Sequence, residues 1–126
     1  MSVRQLGSLE AAVMDRLWVW EQPALVREVL EDLQRERSIA YTTVMTVMEN
    51  LHRKGVLARE RDGRAYRYAP AQAREEYTAS MMEEVLASSA DRSATLMHFV
   101  QRIDKGEVAA LRAMLDGLTE ARRDSA

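Results

Sequence analysis

Stripes of apolar residues predict two helices within the first 36 positions. Across 8–20, apolar residues recur at spacings of three and four, and Ser8 is the predicted N-cap. Pro23 interrupts this pattern, and a second stripe with the same spacing predicts a helix over about 25–36.

A third stripe predicts a helix over 41–54. Its apolar residues are Val44, Val47, Met48 and Leu51, which fall within about 60° of Val44 on a helical wheel. We expect this helix to stop at Gly55, because glycine readily adopts the left-handed conformation that ends many helices.

Two short segments on either side of Asp62-Gly63 predict a β-hairpin. Asp-Gly suits a type I′ turn, because both residues tolerate a positive φ. The expected strands cover 56–61 and 64–68, and Pro70 closes the second. Three helices followed by a hairpin is the order of elements in a winged helix-turn-helix domain.

The hairpin register follows from the position of the turn. It places Leu57 opposite Tyr68 and Arg59 opposite Tyr66 on one side of the ribbon. Glu60 and Arg67 are then expected on the other side, with Arg61 and Arg64 at the tip.

Residues 71–126 are predicted to be helical, with Ser93 capping the middle helix. Their apolar stripes contain Tyr77, Met81, Val85, Leu96, Phe99, Val100, Ile103, Val108, Leu111, Leu115 and Leu118. A segment this short, below about 70–80 residues, rarely builds a sufficient core alone. We therefore predict that 71–126 is a three-helix dimerisation region that packs against a second copy of the chain, and that 1–70 is the winged-helix domain. The expected fold class is mainly α with a small β-hairpin wing.

Composition narrows the classes of function. Cysteine is absent, which removes disulfides, thiolate metal sites and thiol catalysis, and the two histidines are 46 positions apart. No phosphate-binding loop or nucleophile–base pair is recognisable, and no apolar run approaches the roughly 20 residues of a membrane span. We expect a cytoplasmic protein that is not an enzyme, needs no metal or cofactor, and does not partner a membrane.

Charge is distributed unevenly along the chain. The net charge is −2, yet 41–68 carries six basic residues against three acidic ones. Such a locally basic element can bind a polyanion, because at ordinary salt the field within about 10 Å dominates the contact.

The polar side of the third predicted helix has the chemistry of a DNA-reading surface. Hydroxyls and an amide can approach base edges in the major groove, and basic residues can contact phosphates. The candidate DNA-binding residues are Tyr41, Thr42, Thr43, Thr46, Asn50, Arg53, Lys54, Arg61, Arg64 and Arg67. Glu49 is discordant on this face, unless it pairs with Arg53 or accepts a hydrogen bond from a cytosine amine. An ordinary solvated face would also suit the threonines taken alone.

Several strings of the sequence resemble the BlaI/MecI/CopY family of penicillinase repressors. The strings are Leu6-Gly7-x-Leu9-Glu10, Val26-Arg27-Glu28-Val29, Tyr41-Thr42-Thr43-Val44-Met45-Thr46-Val47, Lys54-Gly55-Val56-Leu57 and Arg64-Ala65-Tyr66-Arg67-Tyr68. The resemblance implies a homodimeric transcriptional repressor that binds palindromic double-stranded operators with TACA/TGTA-like half-sites. The copper-responsive branch of the family carries a C-terminal cysteine cluster, and the absence of cysteine from this sequence excludes that branch.

The β-lactam branch of that family implies a link to antibiotic resistance and a proteolytic switch. There, a membrane sensor-protease pathway leads to cleavage of the repressor at an Asn-Phe bond in the dimerisation region. The nearest position here is His98-Phe99, where histidine replaces asparagine. Phe99 also lies on an apolar stripe, which is typical of a packed residue.

Two other functions fit the same pattern. The winged helix could be a protein-interaction module with a merely solvated basic edge, which predicts salt-insensitive binding and no retention by duplex DNA. Alternatively, the chain could be an effector-sensing regulator with a pocket among its C-terminal helices, although no polar constellation in 71–126 marks one.

Overall fold

The computed structural model describes residues 6–124 and shows a mostly helical chain with one small sheet. Its elements in chain order are α1 (Ser8–Trp20), β1 (Ala24–Leu25), α2 (Val26–Leu33), α3 (Tyr41–Arg53), β2 (Leu57–Asp62), β3 (Ala65–Pro70), α4 (Arg74–Ala87), α5 (Arg92–Arg102) and α6 (Lys105–Asp124). The predicted fold class, mainly α with a β-hairpin, is confirmed.

The described residues divide into two compact units, the first ending at Glu84 and the second beginning at Val85. The first unit extends past the hairpin and includes most of α4. Within the described residues, all buried apolar side chains belong to this unit: Val13, Met14, Leu17, Ala24, Val26, Val29, Leu30, Leu33, Val44, Met48, Leu51, Leu57 and Tyr68. They come from α1, α2, α3 and the sheet, so each apolar stripe of the first half meets the others in a single core.

Two predicted N-cap residues are wrong. Helix α1 is capped by Gly7 rather than Ser8, and the Gly7 N–H donates to the Glu10 carboxylate at 3.0 Å. Helix α5 is capped by Asp91 rather than Ser93, since the Asp91 carboxylate accepts from the Ala94 N–H at 3.1 Å. In both cases a carboxylate in the turn satisfies a free backbone N–H.

The second predicted helix is too long at its C-terminal end. Helix α2 ends at Leu33, the last residue of its buried stripe, and a turn follows. By contrast, α3 ends within one residue of its predicted limit, and Gly55 has the expected left-handed conformation, with φ at 84°.

The sheet has three antiparallel strands in the order β1-β3-β2. The third strand, β1, was not predicted because it is only two residues long. The predicted hairpin register is wrong by two positions: Leu57 lies opposite Pro70, and Arg59 opposite Tyr68. Gly63 and Arg64 form the turn in place of Asp62-Gly63, and only Gly63 has a positive φ, as in type II′ turns.

The register shift leaves the predicted faces of the ribbon intact. A slip of two residues preserves side-chain alternation, whereas a slip of one would reverse it. Glu60 and Arg67 are therefore on the side opposite Arg59 and Tyr68, and they are direct cross-strand partners.

The second unit has no fully buried side chain among its described residues. Its helices α5 and α6 form as the apolar spacing predicts, yet those stripes remain exposed. Across the described part of the chain, no helix is both long and apolar enough to cross a membrane.

Candidate nucleic-acid interface

One face of helix α3 packs into the core of the first unit, and the other face is exposed to solvent. Val44, Met48 and Leu51 are buried in the core of the first unit. Thr42, Thr43 and Thr46 are exposed on the remaining surface, and Asn50 is half-buried beside them. Because the buried residues fix the rotation of the helix, the three hydroxyls project together from one rigid surface.

The wing lies beside this helix and adds arginines. A groove of about 290 Å³ is bounded by Tyr41, Met45 and Glu49 on α3 and by Arg64 and Tyr66 on the hairpin. Tyr41 keeps 47% of its surface exposed at the start of α3. Of the predicted DNA-binding residues, Tyr41 and Arg64 border this groove, while the threonines of α3 lie outside its lining.

Three of the predicted basic residues have no acidic partner within the described chain. Arg64 is exposed at the turn, and Arg53 donates only to the neutral Asn50 side chain at 3.1 Å. Arg61 donates to the Gly63 carbonyl at 3.2 Å and lies 5.6 Å from the Tyr66 ring centre. Their positive charges are not compensated by ion pairs, so they are available to a polyanion.

Lys54, a predicted phosphate contact, is instead paired inside the unit. Its Nζ donates to the Glu10 carboxylate at 2.7 Å, which ties the end of α3 to the start of α1. Burial raises the pKa of Glu10, but the hydrogen bonds from Lys54 and the Gly7 N–H outweigh it and leave that pKa lowered. Through this ion pair, Lys54 helps to hold α3 against α1.

Arg67 is also paired, and its ion pairs connect β3 to α2 and to the end of β2. Its guanidinium donates to Asp62 at 2.7 Å and to Glu28 at 3.3 Å. These contacts raise the pKa of Arg67, chiefly through the Asp62 hydrogen bond. Glu28 also accepts from the Leu25 N–H at 2.8 Å, so one carboxylate caps α2 and holds β3.

Two further basic residues of the first unit were not among the predicted contacts. Arg27 is exposed in the first turn of α2 and borders the groove together with Arg64. Arg59 has its guanidinium 4.0 Å from the Tyr66 ring centre and donates to the Tyr68 hydroxyl at 3.4 Å. The surplus of basic residues in 41–68 includes Arg59, but only the fold brings Arg27 to this groove.

Most of the predicted dimerisation residues remain exposed. Four of them, Tyr77, Met81, Ile103 and Val108, are half-buried, and the Tyr77 ring packs on Trp18 with ring centres 5.6 Å apart. The exposed members are Val85, Leu96, Phe99, Val100, Leu111, Leu115 and Leu118, each with 36–57% of its surface accessible.

Three helices, a β-hairpin wing and exposed arginines without acidic partners are the features of a winged helix-turn-helix DNA-binding regulator. Residues 6–117 match the model of the Penicillinase repressor family, and the chain belongs to this family. It is therefore a DNA-binding transcriptional repressor and not an enzyme.

Individual relatives agree with this assignment. The chain is 47% identical over 114 residues to the transcriptional regulator BlaI of Mycobacterium tuberculosis, covering 88% of this chain and 83% of that protein. It is 24% identical over 102 residues to the methicillin resistance regulatory protein MecI of Mammaliicoccus sciuri, covering 81% of this chain and 71% of that protein. A solution structure of the DNA-binding domain of the repressor BlaI superposes with a TM-score of 0.50 at 25% identity, covering 60% of this chain and 92% of that one.

Proposed function

We propose that the chain is a homodimeric repressor that binds a palindromic double-stranded operator, one half-site to each subunit. The observation that carries this proposal is the row of exposed threonines on α3 beside arginines without acidic partners. Hydroxyls at base edges supply sequence discrimination, and unpaired guanidinium groups supply affinity for phosphates.

The proposed contacts divide by chemistry. Thr42, Thr43, Thr46 and Asn50 approach base edges, with Tyr41 at the N-terminal end of the row. Arg53, Arg61 and Arg64 contact phosphates. Lys54 and Arg67 act as positioning residues, because their ion pairs with Glu10, Asp62 and Glu28 fix the recognition helix and the wing.

Dimerisation through residues 71–126 is supported by the exposed apolar stripes of α5 and α6. Leu115 and Leu118 keep more than half of their surface accessible, and Phe99 keeps 43%. A second copy of the chain offers the same stripes, and self-complementary contacts are the usual basis of twofold dimers. Full burial of such a side chain contributes about 1.5–3 kcal/mol, so covering its exposed half contributes about half of that.

Linking two winged helices raises affinity without any new contact. Once one half-site is occupied, the second subunit is held close to its own half-site, and avidity exceeds single-site affinity by about 10²–10⁴. Repression follows when such an operator overlaps a promoter, and loss of the dimer relieves it.

We further propose a proteolytic control point at His98-Phe99, acted on by a sensor-linked protease. This bond lies within α5, and both side chains are exposed. Cleavage there separates α6, with its apolar stripe, from the preceding chain. The proposed consequence is loss of the dimer and release of the operator.

Selection from randomised duplexes with the purified full-length chain tests the function. We expect a palindromic consensus, and a footprint upstream of the protein's own gene that contains it. Three phosphate contacts per subunit predict an affinity that falls about 10³-fold between 50 and 200 mM salt. Binding that is insensitive to salt, or no retention of duplex DNA, would favour the protein-interaction module and overturn this proposal.

A further inference from the structure

Glu49 is an acidic side chain on the surface of α3 that carries the threonine row. On a helical wheel it lies about 20° from Thr42 and about 60° from Thr46. Its side chain is exposed and makes no hydrogen bond or ion pair within residues 6–124. A carboxylate at this place repels phosphates, so a structural role through internal pairing would be the simplest explanation for it.

Two basic side chains that could pair with Glu49 do not do so. The guanidinium of Arg53 donates to the Asn50 amide oxygen at 3.1 Å, although the i,i+4 spacing would allow an ion pair with Glu49. Arg59 is held across the groove by the Tyr66 ring and the Tyr68 hydroxyl, at 4.0 and 3.4 Å.

The negative charge of Glu49 nevertheless acts on the Arg59 guanidinium. The pKa of Arg59 is raised, chiefly by its hydrogen bond to Tyr68 and to a smaller extent by the field of Glu49. The two tyrosines keep the guanidinium from closing onto the carboxylate. Arg59 therefore offsets part of the repulsion between Glu49 and nearby phosphates while leaving both carboxylate oxygens free to accept hydrogen bonds.

A free carboxylate among base edges discriminates between bases by their donors. Cytosine presents its N4 amino group in the major groove, while guanine presents the O6 and N7 acceptors and thymine the O4 acceptor. Adenine has a donor at N6, but the adjacent N7 acceptor faces the same carboxylate. Cytosine is the base that meets Glu49 with a donor and without an adjacent acceptor.

We propose that Glu49 is a specificity-determining residue of the recognition helix, accepting a hydrogen bond from the N4 amino group of one cytosine in each half-site. The inference rests on the proposed function, because it assigns a base to the surface that the function requires. The proposal also provides the Glu49 carboxylate with a hydrogen-bond donor in the complex with DNA.

The test compares base preferences of the full-length chain and of Glu49→Gln by selection from randomised duplexes. For the parent chain we expect one cytosine column per half-site. In Glu49→Gln the preference for cytosine in that column should fall about tenfold and move toward adenine, which glutamine recognises through N6 and N7. Glu31→Gln is the matched control, because it removes an exposed carboxylate from α2 without touching this groove.

The outcomes separate this inference from the function on which it rests. A change confined to the cytosine column, with Glu31→Gln unchanged, supports the role of Glu49. If Glu49→Gln binds every duplex more tightly by the same factor and keeps all base preferences, Glu49 is only a repulsive charge and the inference is overturned. A parent chain with no base preference at any position overturns the proposed function itself, and the role of Glu49 with it.

Discussion

Leu115→Glu is expected to produce a folded monomer that binds a full palindromic operator about 10²–10⁴-fold more weakly than the parent chain. Leu115 has 57% of its surface exposed on the apolar stripe of α6, so the charge does not disturb the core of the first unit. In the dimer, by contrast, the same charge would be buried against apolar side chains without a partner. Sedimentation and operator titration of the same sample measure both effects.

Ala113→Glu is the matched control, because Ala113 is exposed and lies about 160° from Leu115 on the same helix. This variant should remain a dimer with unchanged operator affinity. The bivalent mechanism would be contradicted by a Leu115→Glu monomer that binds the two half-sites as tightly as the parent chain does.

Thr46→Ala and Arg64→Ala are expected to weaken binding in two different ways. Thr46→Ala should reduce the preference at one or two operator positions about tenfold, because the proposed function has its hydroxyl and methyl meet base edges. Arg64→Ala should weaken binding to all duplexes alike, by about tenfold, and lower the salt slope by about two for the dimer. Titration of an operator series at several salt concentrations separates the two.

Thr78→Ala and Arg92→Ala control for the loss of a hydroxyl and of a charge elsewhere in the chain. Thr78 donates to the Arg74 carbonyl within α4, and Arg92 is exposed in the first turn of α5. Both variants should retain the parent's base preferences and salt slope. Equal sequence dependence in Thr46→Ala and Arg64→Ala would refute the division between base and phosphate contacts.

Glu10→Gln is expected to lower the free energy of unfolding by about 0.5–1 kcal/mol at neutral pH, because it removes the ion pair with Lys54. The lowered pKa of Glu10 means that this stabilisation is present above the ordinary glutamate pKa, about 4.3, and is lost as pH falls through the lower folded-state value. Denaturant unfolding at about pH 6 and about pH 3 should therefore show a larger difference at the higher pH.

The control for that measurement is Glu31→Gln, whose carboxylate makes no ion pair within the described residues. Its effect on stability should be small at both values of pH. A Glu10→Gln difference of the same size at low pH would show that Glu10 stabilises the unit through packing rather than through its charge.

The helical elements could be predicted because burial of one face imposes a period on the sequence. The limits of α1 and α3 agree with the prediction within one residue, and the faces of the hairpin are correct. The hairpin register could not be fixed from the Asp62-Gly63 pair, because a turn that uses Gly63 and Arg64 preserves the same alternation. Strand β1 has two residues and therefore no periodic pattern to detect.

The residue types of the candidate site could be predicted from the sequence, but which of its basic residues form ion pairs could not. The threonines of α3 are exposed as expected, since they oppose the buried stripe. Lys54 and Arg67 have the same chemistry as Arg64, yet their acidic partners Glu10 and Glu28 are distant in sequence. Only tertiary contacts distinguish a cation that holds the fold from one that is free.

Strand β1 supports the hairpin near the core of the first unit but does not extend to its tip. Strand β1 pairs only with Arg67 and Tyr68, so the ribbon beyond Arg67 has two strands, and an isolated pair of strands is marginally stable. We therefore expect bending of the hairpin to be greatest beyond Arg67, in the part that contains Arg61 and Arg64. If these two residues contact phosphates as proposed, such bending would let their guanidinium groups adjust to duplexes whose grooves differ in width.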